Sequence, residues 1–126
     1  MLKKIYLSAA LIWTSSILLL CLEPASDLPK VEINNVDKLV HFAFHFLFII
    51  LWYLYLNSNT KITNYKAPVI LFFVSLVFGI IIELSQQAFT TSRKGDILDV
   101  ISNVSGAFSA LITLVLFQYF RRKSKI

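Results

Sequence analysis

APVILFFVSLVFGIIIELSQQAF, residues 67–89, decides the fold. Sixteen residues pass from Ala67 to Ile82 with no charge, and Glu83 is the first. A stretch of this kind is close to the ~20 residues a membrane-spanning helix requires. Backbone groups in lipid must satisfy one another, and a run this long does so as a helix. Three further apolar runs flank it, Ile5–Leu22, Leu39–Leu56 and Ile97–Phe120. Polar or turn-forming segments separate them: Glu23–Lys38 with Pro24 and Pro29, the Asn-rich Asn57–Lys66, and Thr90–Asp96 with Gly95. The expected fold is all-α, an integral membrane four-helix bundle with helices at about 5–22, 39–56, 67–89 and 97–120.

The composition agrees. The chain of 126 residues is 57% hydrophobic and only 15% charged, more apolar than a soluble core of this size needs. Its formal charge of +5 raises nucleic acid as a partner. The basic residues instead lie between and beside apolar runs, so they read as topology signals and no nucleic-acid partner is expected. The lone Cys21 allows no internal disulfide and reads as a small buried hydrophobe. Lys3 and Lys4 before an apolar run begin like a signal peptide, but no A-x-A-like cleavage pattern follows, so the first run reads as a retained helix.

Orientation follows from Lys and Arg. The N-terminal, second-loop and C-terminal segments hold eight (Lys3, Lys4, Lys61, Lys66, Arg121, Arg122, Lys123, Lys125). The first and third loops hold four (Lys30, Lys38, Arg93, Lys94). The positive-inside rule then puts both termini in the cytoplasm.

With this topology the polar residues inside the runs fall on one side of the membrane. At ~1.5 Å per residue, His41 lies ~6 Å and His45 ~12 Å below the start of the second helix, and Asp99 ~5 Å and Asn103 ~10 Å below that of the fourth. Glu83, ~24 Å up the third helix, arrives near the same depth as His41 and Asp99. The inner halves read as almost purely apolar. Spacing adds faces: His41 and His45 are i, i+4; Glu83, Gln86 and Gln87 are i, i+3, i+4; Asp96, Asp99, Asn103 and Gly106 form one stripe. A mid-membrane charge costs roughly 2.5–3.5 kcal/mol on insertion scales, so the stripes should point into the bundle or a wet cavity. The expectation is an outward-open polar pocket lined by the second, third and fourth helices. Its candidate residues are Asp37, Lys38, His41, Glu83, Gln86, Gln87, Arg93, Asp96, Asp99 and Asn103.

Each residue also has a purely structural role to weigh. Asp96, after Gly95, suits a helix N-cap. Asp99 suits the first turn and a pair with Arg93 or Lys38. Asn103 suits interhelical hydrogen bonding, and Ser102, Gly106 and Ala110 have the small-xxx-small spacing of helix packing. Glu83 caps nothing and needs a partner or a proton; His41, Arg93 and Lys38 are the candidates. His45 reads as a hydrogen-bonded core histidine. His41, His45, Glu83 and Asp99 are acceptable metal ligands, but no HExxH or ligand-dense motif is present, so no metal and no cofactor is expected. Ser85, Ser92 and Ser102 lack any nucleophile motif. Catalytic residues are not identified; Glu83 and His41 are the acid/base candidates should the protein be an enzyme.

The residues resemble the VanZ-like family of small bacterial membrane proteins. Two blocks carry the likeness, Asp37-Lys38 with His41, and Glu83/Gln86/Gln87 followed by Arg93, Asp96, Asp99, Asn103 and Gly106. Roughly residues 37–116 take part. His45 replaces a usual aromatic and Ala110 a frequent glycine. The resemblance implies a single transmembrane domain over 1–126 in the bacterial cytoplasmic membrane. The family's namesake confers low-level teicoplanin resistance without precursor remodelling. Three functions follow as expectations: binding of an envelope-lipid headgroup or glycopeptide, an enzyme acting on a lipid-linked envelope substrate, or a scaffold whose polar set only joins helices. A transporter is disfavoured by the apolar inner half.

Overall fold

The computed structural model describes residues 1–23, 36–58, 65–89 and 96–124. They form four helices, α1 (Leu2–Leu22), α2 (Val36–Asn57), α3 (Ala67–Phe89) and α4 (Ile97–Lys123), with no strand among the described residues. The bounds of α3 coincide with its apolar run, whereas α1, α2 and α4 extend into charged residues beyond theirs. Lys3 and Lys4 lengthen α1 because the Met1 carbonyl accepts from the amides of Lys4 and Ile5. Pro68 falls in the first turn of α3, where its missing N–H costs no helical bond. Asp96 caps α4: its backbone is extended and its carboxylate accepts from the Leu98 amide at 2.9 Å. Arg121, Arg122 and Lys123 close α4, complementing the negative end of its dipole.

All four helices are long and apolar enough to cross a membrane. On α3 the side chains of Ile70, Phe73, Val77, Ile80, Ile81 and Leu84 face outward. In water that surface would be costly; against acyl chains it is the expected exterior. The protein is a multi-pass membrane protein.

α2 sits at the centre and packs on α4, α1 and α3; α4 also packs on α3, and α1 on α3. Ile17, Ile49 and Ile82, one from each of the first three helices, are fully enclosed, and α4 adds Ala107, Ala110 and Leu114. Phe48 stacks on Phe78 with ring centroids 5.1 Å apart. Two indoles fasten α1. Trp13 Nε1 donates to the Phe44 carbonyl at 3.1 Å, and Trp52 Nε1 donates to Thr14 Oγ1 at 3.2 Å.

The tightest approach is between α2 and α4. A Cβ added at Gly106 would overlap the Phe42 carbonyl backbone, so only glycine lets the two helices meet there. Ala110, one turn on, is fully buried. Gly79 is more forgiving, because its added Cβ would meet the His45 ring, a side chain, at 3.0 Å. Gly106→Ala is therefore expected to lower the detergent melting temperature more than Gly79→Ala, by overpacking worth about 1–3 kcal/mol. Paired thermal unfolding curves check this, and a neutral Gly106→Ala would contradict the close approach.

Candidate functional site

The N-terminal ends of α2 and α4 and the C-terminal ends of α1 and α3 share one end of the bundle, and the polar residues gather there. α2 and α4 run parallel, so the positive ends of their dipoles lie side by side. Asp37 and Asp99 in the first turns, and Asp96 at the α4 cap, place three carboxylates at those ends. Lys38 sits among them. Its Nζ is 2.6 Å from Asp96 Oδ2, 2.7 Å from Asp99 Oδ1 and 3.5 Å from Asp37 Oδ2. One ammonium thus ties α2 to α4, donating a charge-assisted hydrogen bond to Asp96 and ion-pairing with Asp99.

His41 lies one turn deeper and is buried. Its Nδ1 is 3.0 Å from Asn103 Oδ1 and 4.0 Å from Glu83 Oε1, while Nε2 is 3.8 Å from Asp37 Oδ1 and 3.9 Å from Asp99 Oδ2. Residues of α2, α3 and α4 therefore converge on one imidazole. Glu83 is only 8% exposed, yet neither of its oxygens has a hydrogen-bond partner among the described residues. Asn103 Nδ2 is a buried donor in the same condition. Buried polar groups in native structures are nearly always engaged, so this pair is unusual.

The other candidates divide. Gln86 is buried but turns to α1, donating to the Cys21 carbonyl at 2.8 Å. Gln87 is exposed and Ser102 half-buried, the latter donating to the Leu98 carbonyl of its own helix. Arg93 and Lys94 lie outside the described residues, as does Ser92. His45 is a hydrogen-bonded core histidine, its Nδ1 2.8 Å from Ser75 Oγ.

The expectation of an almost purely apolar inner half needs correction. Ser75 and Gln118 are buried; Ser75 pairs with His45, and Gln118 Nε2 donates to the Tyr53 hydroxyl at 3.1 Å. A signal for Ser75 was present: Ser75, Gly79, Glu83 and Gln86 follow one face of α3. Gln118 had none, standing alone among apolar residues and the first of the basic cluster. Between these pairs Phe48 and Ile49 fill the core, so the polar groups form separate islands.

Asp96 stands outside the spans, and the Lys38 ammonium, with the Leu98 amide, holds its carboxyl below the usual carboxylate range. A depressed carboxyl contributes stability above its unfolded value and loses it as pH falls through the folded one. Asp96→Asn keeps a good N-cap while deleting the charge. The variant is expected to melt lower at neutral pH and to approach wild type on acidification below the ordinary carboxylate range. Melting temperature against pH for both proteins reads this directly.

The described residues thus present an acidic cluster with one lysine and one histidine at a single end of a membrane bundle. No curated protein and no solved structure gives a significant match to the chain. The sequence model of the family described as VanZ/LLP1 matches residues 3–118, which takes in α1 as well as the region that carries the two polar blocks. With nearly its whole length matched, this four-helix membrane protein belongs to the VanZ/LLP1 family.

Proposed function

We propose that the protein sits in the bacterial cytoplasmic membrane with both termini inside, and that its polar end, facing outward, binds an envelope-lipid headgroup or a glycopeptide and so modulates teicoplanin susceptibility. The observation that carries this reading is the pair of idle buried groups, the Glu83 carboxylate and the Asn103 amide donor. Each is costly alone and is satisfied by a ligand that brings a donor to Glu83 and an acceptor to Asn103. Above them the rim is accessible: the Asp37 side chain is 57% exposed and that of Lys38 24%. The described set is acidic, so it favours ligand ammonium, amide or hydroxyl donors. Attraction of a phosphate at the mouth rests on Arg93 and Lys94.

The short Lys38 contacts to Asp96 and Asp99 favour a second reading, in which the polar set is an interhelical network supporting the bundle or a partner protein. Glu83→Gln separates the two. Under the binding reading it does not lower the detergent melting temperature, weakens retention of teicoplanin or envelope lipid in native mass spectra by tenfold or more, and changes teicoplanin susceptibility of an expressing host. A fall in melting temperature with unchanged retention would establish the network reading instead.

A further inference from the structure

The surroundings of His41 point to a second occupant at this end of the bundle. Nδ1 faces the Asn103 side-chain oxygen at 3.0 Å, so with the amide in this orientation Nδ1 carries the proton and donates. In that tautomer the ring presents its Nε2 lone pair to Asp37 Oδ1 at 3.8 Å and Asp99 Oδ2 at 3.9 Å. Three acceptor atoms converge, all within 4.8 Å of one another. The two nitrogen–oxygen separations are too long for N–H···O hydrogen bonds, which run about 2.7–3.2 Å. They are about 0.5 Å longer than the spacing of atoms sharing one metal ion, roughly 3–3.5 Å when each bond is ~2.0–2.1 Å, so the three atoms must draw inward to share one.

Lys38 fixes this arrangement. It holds Asp37 by Oδ2 and Asp99 by Oδ1, which leaves the other oxygen of each turned toward Nε2. Asn103 does the same for the ring by orienting its tautomer. Charged or amide groups that lock ligand oxygens and imidazoles in place are the usual support of a metal site.

Glu83 lies off the other ring nitrogen, 4.0 Å from Nδ1, and takes no part in this set. Three carboxylates, those of Asp37, Asp96 and Asp99, surround a single lysine among the described residues. An excess of negative charge of this kind is stabilised by a cation in its midst.

We infer that Asp37, His41 and Asp99 form a binding site for a divalent transition-metal ion of the zinc or manganese kind. One imidazole with two carboxylates matches those ions: calcium and magnesium favour all-oxygen sets, and copper(I) favours sulfur. The site goes beyond the ligand-binding reading and stands whether or not an envelope ligand binds.

The test uses full-length protein purified in detergent, freed of any affinity tag, stripped with chelator and titrated separately with zinc and manganese chloride. Calorimetry is expected to show about one equivalent of one of these ions, with a saturable rise in melting temperature. His41→Gln should abolish both signals, and Asp37→Asn should weaken binding at least tenfold. Asp37 is exposed, so its variant keeps the fold and the test remains decisive if changes at buried Asp99 do not. His45→Gln should bind as wild type does. Absence of uptake by wild type, or equal uptake by wild type, Asp37→Asn and His41→Gln, overturns the site. Glu83 is unchanged throughout, so failure here is separable from failure of the ligand-binding reading.

Discussion

The ion-pair cluster on Lys38 is the interaction on which the rest of the polar end depends. α2 and α4 are parallel neighbours, and two aligned dipoles repel side by side. Asp37, Asp96 and Asp99 neutralise the positive ends, and Lys38 then joins the acids into one body. The same contacts set the register of α2 against α4. That register brings Gly106 under the backbone of Phe42, and it presents His41 to Asn103. Breaking a partly buried pair leaves unbalanced charge, which is more damaging than the pair is stabilising.

Below that cluster, polarity is spent sparingly. Two interhelical contacts lie deeper, His45 with Ser75 and Tyr53 with Gln118, each joining α2 to a different neighbour. In lipid the apolar faces give no hydrophobic drive for helices to associate, so close packing and such hydrogen bonds hold them. Glycine and alanine serve the first need on α4, and single polar pairs the second. α1 is fastened differently, by tryptophan N–H donors at part-buried positions and by the Gln86 contact to its last turn. It contributes no ionisable group to the cluster.

Glu83 is set apart from this economy. Its neighbours on α3 are lipid-facing, enclosed in the core or hydrogen-bonded, whereas its carboxylate is buried and lacks a hydrogen-bond donor among the described residues. A residue of that kind destabilises the resting fold and is retained where binding uses it. The ligand-binding proposal draws on this excess acceptor capacity through a ligand's donors, whereas the metal proposal uses the other nitrogen of the adjacent imidazole.

Sequence alone determined the elements. Four apolar runs dictated four helices because lipid leaves the backbone no other partner, and Gly95-Asp96 marked the start of α4 because a capping carboxylate belongs there. Helical period also placed Asp99, Asn103 and Gly106 on one face and brought His41 and Glu83 to equal depth. Tertiary structure decided the partners. Period fixes which residues share a face but not the rotation of one helix against the next. That rotation gave Lys38 to Asp96 and Asp99, turned Gln86 to the Cys21 carbonyl, and paired Ser75 and Gln118 with α2. It also left Glu83 beside His41 with no donor among the described residues, a condition that no spacing along a single chain can express.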